Sequence, residues 1–320
     1  MSTRPAGLDE AVTSLSAGAR RWIGLHAAYL DSPAARAELP VTPRVKALLQ
    51  LAMLRRYWER CAPGDPDLAR VTAVVEQVWR SGDFPRLLTL ESRYTRQFEL
   101  MYAALAPAGT ADGAPRAVLA RLTGGSYLTP GRKPPFLQLE ARFYAEMAGA
   151  GHRFASYGDL YEASPLPRAG TLAPADLDGC LVAHTLFYLG DFGFRDPGLT
   201  GEDRDRALRV VERLTDHCVA LGDWDVVAKL LLAQHCLGAD PRRTPSGAAG
   251  LRMLAGAQAP DGAIPGRCAA ERPPAGASSV EYFRKSYKVT LVVALMTLVV
   301  DGGRAQAPSL TGAASLREER

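Results

Sequence analysis

The feature that most constrains this chain is the spacing of its apolar residues. The spacing is helical, and no segment alternates apolar and polar residues with the period of two that a half-buried strand needs. Three segments of the carboxyl-terminal half are apolar on most sides: 177–189, 224–237 (WDVVAKLLLAQHCL) and 282–300, which ends VTLVVALMTLVV. Between them lie two amphipathic segments, 203–221 and 246–258. A helix that is apolar all round is enclosed, whereas one with a single apolar stripe lies outside. This outer/inner rhythm predicts an all-α protein of helical hairpins, an α/α toroid or incomplete α/α barrel. A two-layer solenoid gives the same rhythm. The pattern at Ala183-His184 through Asp191-Phe192 is echoed by Asp216-His217 through Asp223-Trp224. The His-to-Asp spacing differs by one residue, so no repeat period is established.

The amino-terminal half carries four further helical patterns, 7–30, 43–61, 67–80 and 85–106, with breaks at Asp31-Ser32-Pro33, Ala62–Pro66 and Ser81-Gly82-Asp83. Residues 107–115 form an Ala/Gly/Pro linker, 116–122 a short helix, and 124–135 a second irregular stretch. A helix is expected over 136–150, followed by a polar and aromatic segment at 152–164. The predicted division is therefore an amino-terminal part of the ring (1–106), an irregular connection (107–135), a carboxyl-terminal part that carries a cavity (136–300) and a loose tail (301–320).

With 38 basic and 34 acidic residues the net charge is only +4, and no dense basic run is interleaved with aromatics, so nucleic-acid binding is not expected. The five cysteines are widely spaced and lack a CxxC pair, which fits reduced thiols and a cytoplasmic protein better than a disulfide framework. The sequence MSTRPAGLDE has no apolar signal core. The longest apolar run, 289–300, is short of the roughly 20 residues a membrane span requires, so a soluble protein is expected. Abundant Ala, Arg, Gly and Pro with scarce Lys suggest a GC-rich bacterial genome.

The stretch Gln258-Ala-Pro-Asp261-Gly262 has the form Q-x-x-D-G. It resembles the turns of α/α-toroid proteins of the terpene-cyclase and protein-prenyltransferase type, in which such turns are mainly structural. Gly262 permits a tight turn, and Asp261 can bond nearby backbone N–H groups. The resemblance extends to Leu139-Glu140-Ala-Arg142-Phe-Tyr144, to the His184–Gly193 block, to the 223–238 helix and to Ser286-Tyr287-Lys288-Val289-Thr290. Together these blocks resemble an actinobacterial, toroid-like family of unknown function often found in natural-product gene sets. The resemblance spans about 43–300 and implies a fold but no named reaction. The family pattern at the last inner helix is Tyr-His-Thr-Thr, whereas this chain reads Tyr287-Lys288-Val289-Thr290, an amine in place of an imidazole.

Ionisable residues on the three apolar segments are the site candidates. His184 is a candidate general base, since burial favours a neutral imidazole; a core histidine bonded to a backbone carbonyl is the alternative. Asp191 lies two helical turns further on and could bracket the same cavity. Asp225, four residues before Lys229, suits a salt bridge, with one of Asp223 and Asp225 serving as a helix cap. Tyr287 and Lys288 begin the last inner helix as a candidate acid/base or anion-binding pair. Trp224, Tyr188 and Asp261 complete the set as candidate substrate-binding residues. No metal site is expected: Asp178-Gly179-Cys180 with His235 only loosely matches a prenyltransferase-type zinc set. Aspartate-rich cyclase motifs, P-loops and GxGxxG signatures are absent, and no cofactor is implied.

The expected function is a cofactor-independent enzyme of bacterial natural-product biosynthesis, a cyclase, lyase or isomerase that uses acid–base side chains in an apolar cavity. One alternative is a non-catalytic carrier of a hydrophobic intermediate or a partner protein. A further alternative is a glycan-active α/α barrel with Asp191 and Asp225 as its carboxylates. The expected partner is a small hydrophobic molecule or biosynthetic intermediate, with a homodimer left open and neither nucleic acid nor membrane involved.

Overall fold

A computed structural model describes residues 6–33, 37, 41–80, 95–105, 127–129, 133–267 and 279–306. Among these the secondary structure is wholly helical. The helices are α1 (Ala6–His26), α2 (Val41–Cys61), α3 (Pro66–Arg80), α4 (Thr95–Leu105), α5 (Pro135–Met147), α6 (Tyr157–Glu162), α7 (Gly179–Gly190), α8 (Gly201–Leu221), α9 (Trp224–Cys236), α10 (Pro245–Ala257) and α11 (Ser279–Gln306). The linker at 107–115 and the short helix at 116–122 lie outside the described residues, as do 85–94 of the fourth expected helix.

Local chemistry sets where the helices start. Asp178 caps α7 by accepting from the Leu181 amide at 3.0 Å, and Thr244 caps α10 through the Gly247 amide at 3.1 Å. Asp223 caps α9 by accepting from the Val226 amide, which leaves Asp225 free for another partner. Within the polar 152–164 segment, Ser156 and Asp159 form a reciprocal capping box that starts the short α6. No helix of the described residues is long and apolar enough to cross a membrane.

Six helices touch in cyclic order: α2 packs on α4, α4 on α5, α5 on α7, α7 on α9, α9 on α11, and α11 on α2. The amphipathic α8 lies outside against α9, α10 lies against α8 and α9, and α1 packs on α11, α10 and α3. The apolar α9 is fully enclosed from Val227 to Gln234. Two hydrophobic clusters result. One gathers the interior of α5 and α7–α9, and the other joins α1, α2 and α3 to one side of α11 around Trp22, Trp58 and Phe283.

The Q-x-x-D-G turn joins the two clusters. Gln258 Nε2 donates to the Leu15 carbonyl of α1 and to the Gly262 carbonyl, each at 3.1 Å, and the Asp261 carboxylate accepts from the Ala263 amide at 3.0 Å. The Ile264 amide donates to Thr290 of α11 at 2.9 Å. This explains the Tyr-x-x-Thr block: its threonine holds the turn. Helix α11 runs to Gln306, and Arg242 bonds it near Asp301, at 2.8 Å to that carboxylate and 3.1 Å to the Val300 carbonyl; residues 307–320 of the expected tail lie outside the described residues.

Gly262 has φ +97°, and a Cβ there would lie 2.2 Å from the Gly18 carbonyl oxygen of α1. Gly262→Ala is therefore expected to lower unfolding free energy in urea by at least about 2 kcal/mol. Gly256→Ala changes an exposed position on α10 with nothing within 4 Å of the added carbon. It should stabilise by about 0.5–1 kcal/mol, the opposite sign, because only helix propensity changes.

Candidate functional site

The six cyclically packed helices each contribute side chains to one cavity of ≈320 Å³. Arg96 of α4, Glu140 and Tyr144 of α5, His184 and Tyr188 of α7, and Lys229 of α9 supply its inner polar groups. Leucines of α2, α4, α9 and α11 together with Phe187 and Phe192 supply apolar wall, and Lys46 and Gln50 of α2 complete the polar lining. A larger depression of ≈430 Å³ lies between α1, the start of α3 and the Gln258 turn. Its Arg20 is already paired with Asp65 and its Gln258 is bound to the backbone. We place the candidate site in the smaller cavity because ionisable groups from separate helices converge there on an apolar wall.

At the heart of this cavity is Glu140, 6% exposed. Its Oε2 accepts from Arg96 Nη2 at 2.6 Å, Arg96 Nε at 2.8 Å and the Tyr127 hydroxyl at 2.7 Å, and its Oε1 accepts from Tyr188 at 3.1 Å. Burial, and then the Glu140 charge, raise the pKa of Tyr127, Tyr144 and Tyr188, so all three stay protonated, and Tyr127 and Tyr188 donate to Glu140. Arg96 is pulled down by burial, but Glu140 outweighs this and raises it.

His184 stands beside this network. Its Nδ1 lies 2.7 Å from the Cys180 carbonyl, an acceptor only, so Nδ1 carries the hydrogen and Nε2 carries the lone pair. Burial lowers the imidazole's pKa, the nearby Lys229 charge lowers it further, and the Cys180 hydrogen bond only partly opposes them. Lys229 is 4% exposed; its ammonium sits 3.0 Å from Asp225 Oδ2 and donates to Cys180 Sγ at 3.6 Å. Lys288, half-exposed, reaches the same Asp225 oxygen at 3.2 Å. Burial raises the Asp225 pKa, but the two lysines overcome it and hold the carboxyl below its ordinary value. Asp225 Oδ1 is buried with no hydrogen-bond partner among the described residues.

The cavity thus brings together three of the expected residues, His184, Lys229 and Tyr188, with Asp225 and Lys288 behind Lys229. The others lie elsewhere. Helix α7 ends at Gly190, and Asp191 turns away with φ 44°, so extending the helical face of His184 to it fails. Asp191 is bound by the Tyr57 hydroxyl at 2.7 Å and by Arg60 at 3.3 Å, and Phe192 takes the place on the cavity wall. Tyr287 stacks on Phe283, 5.3 Å between ring centres, in the cluster around α1 and α2. Trp224 donates to the Pro265 carbonyl at 2.9 Å, and Asp261 is occupied by its own turn. Asp191 and Asp225 do not face the cavity as a carboxylate pair.

Sequence reasoning passed over Glu140 and Arg96. The signal was present for Glu140. It stands four residues after Phe136 and four before Tyr144, inside the apolar stripe of α5, where an acid requires a partner. Arg96 has Glu99 three residues on in its own helix, so its pairing with Glu140 instead came only from the fold.

The protein-family model described as Domain of unknown function (DUF6895) matches residues 16–298 of the chain. Among curated proteins and among solved structures, nothing matches it.

Two measurements test this electrostatic arrangement. Arg96 is 39% exposed and Glu140 only 7%, so removing the arginine strands the more deeply buried charge. Arg96→Met should cost about 2 kcal/mol or more in urea unfolding, Glu140→Gln less, and adding Glu140→Gln to Arg96→Met should recover about half of the loss. The lowered pKa of His184 makes the unfolded chain bind more protons than the folded one just below the ordinary histidine range. Stability should therefore fall as pH drops from about 6.5, by at most about 1.4 kcal/mol per pH unit for this group, and level off below its folded pKa. His184→Gln should flatten that slope in part, since His235 is shifted the same way by burial.

Proposed function

From a chain that belongs to the DUF6895 family, whose description carries no activity, we propose a small-molecule site that performs cofactor-independent acid–base chemistry on a hydrophobic substrate. One observation carries this reading: a neutral imidazole that presents the lone pair of Nε2 beside a buried ammonium in an apolar cavity. His184 would remove a proton, and Lys229 would stabilise the oxyanion that develops next to it. Base-initiated cyclisations, eliminations and isomerisations begin in this way. The Glu140 network would hold Tyr188 in place and supply shape, since its own acceptors are already engaged.

The cyclic order of six inner helices with α1, α8 and α10 outside supports reading the architecture as an α/α toroid. The setting in bacterial natural-product biosynthesis rests on the resemblance of the sequence blocks. A non-catalytic carrier is the second reading, and one feature favours it: Glu140 and Asp225 are both ion-paired, which leaves His184 as the sole unengaged base among the described lining residues.

The test is untargeted mass spectrometry of the purified protein after incubation with a small-molecule extract. A captured hydrophobic compound should vanish with Leu295→Trp, which fills the cavity. Conversion of that compound by the unmutated protein, with binding but no conversion by His184→Gln, supports the enzyme. Capture without conversion supports the carrier, and capture that survives Leu295→Trp rejects the cavity.

A further inference from the structure

We infer that the molecule held in this cavity is a small hydrophobic acid, with its carboxylate seated on Lys229. This rests on reading the cavity as a small-molecule site and narrows the ligand class.

The first ground is charge. Among the described lining residues Lys46, Arg96 and Lys229 are cationic and Glu140 alone is anionic. Arg96 and Glu140 cancel in a close pair. Asp225 cannot cancel Lys229 in the same way, because its one engaged oxygen is shared with Lys288. Two cations on one carboxylate leave that cluster one positive charge in excess. Lys46, exposed on α2, adds another to the lining. A cationic ligand would meet repulsion, and a neutral one would leave the buried Lys229 with only a shared half of one carboxylate, since Lys288 and Lys46 are open to solvent.

The second ground is hydrogen bonding. An ammonium has three donors. Lys229 directs one to Asp225 Oδ2 and one to Cys180 Sγ, which leaves one N–H on a side chain that lines the cavity. A carboxylate oxygen is the acceptor that also carries the missing charge. The third ground is shape. The wall beyond Lys229 is leucine, valine and phenylalanine, and ≈320 Å³ is the room of about ten waters, which suits a body of one or two rings. His184 and Lys229 both bond to Cys180, which keeps the imidazole near the carboxylate end of such a ligand.

Isothermal titration calorimetry with 1-naphthoate and its neutral counterpart 1-naphthylmethanol tests the inference. Naphthoate should bind about tenfold tighter or more. Lys229→Met should shrink that ratio to about threefold or less while leaving naphthylmethanol binding in place. Lys285→Met, which removes a cation of the same helix as Lys288 that is paired with Glu281, should leave the ratio unchanged. Where Lys229→Met does not fold, the double variant Lys229→Met with Asp225→Asn strands no carboxylate and reads the same ratio. Equal affinity for both probes, or a preference that survives loss of Lys229, overturns the inference and leaves the small-molecule cavity standing. Failure of both probes to bind, or binding indifferent to Leu295→Trp, overturns the inference together with the reading beneath it.

Discussion

A cavity between packed helices persists only when the polar groups that face it are paired, and here that condition falls on Glu140. A carboxylate 6% exposed would be expelled or neutralised if left alone. Instead Arg96 of α4, Tyr188 of α7 and Tyr127 of the segment before α5 converge on it. One side chain therefore couples α4, α5 and α7. The opposite side is joined in the same manner, with Lys229 of α9 and Lys288 of α11 meeting on Asp225. Dispersion and burial hold the helices together, while these two ion-paired knots tie α4, α5 and α7 on one side and α9 and α11 on the other.

The knots differ in what they leave over. Around Glu140 the donors equal the acceptors' needs: two arginine nitrogens and two hydroxyls reach one carboxylate. Such a cluster is rigid and chemically quiet. Around Asp225 the balance is unequal, with two ammonium groups on one oxygen and the second oxygen buried without a hydrogen bond among the described residues. Unpaired capacity of that kind costs stability, and folded proteins retain it mostly where a ligand or a reaction uses it. The asymmetry is the physical reason to look for function at Lys229 and His184 and for architecture at Glu140.

The helices were legible because their apolar period is strong. The boundaries of α3, α7, α8, α9 and α10 fall within two residues of those read from the sequence, and at α7, α9 and α10 the caps Asp178, Asp223 and Thr244 mark the start. The 225/229 ion pair was legible too, since an i,i+4 spacing fixes the partners before any tertiary structure is known. Contacts that depend on where a chain turns were not. Asp191 looked like a neighbour of His184 only as long as α7 was extended past Gly190, and a left-handed residue ends that extension. Tyr287 and Lys288 are adjacent in sequence but face different surroundings, because consecutive helical residues point about 100° apart: the tyrosine enters the α1 cluster and the lysine reaches Asp225. Glu140 shows the converse. Its position in an apolar stripe announced a buried acid, but its partner on α4 lies 44 residues away.

The same geometry links the base to the cation. Lys229 and His184 are both anchored on Cys180, one through its sulfur and the other through its carbonyl. A positive charge held there disfavours a second one on the imidazole, so Lys229 helps keep His184 neutral and able to accept a proton. If an anion then settles on Lys229, that electrostatic pressure relaxes and the imidazole becomes easier to protonate. Binding of an acid would thus raise the basicity of the group beside it. On that reading the part of the shift that comes from Lys229 would be relieved by the ligand, while the larger part that comes from burial would remain.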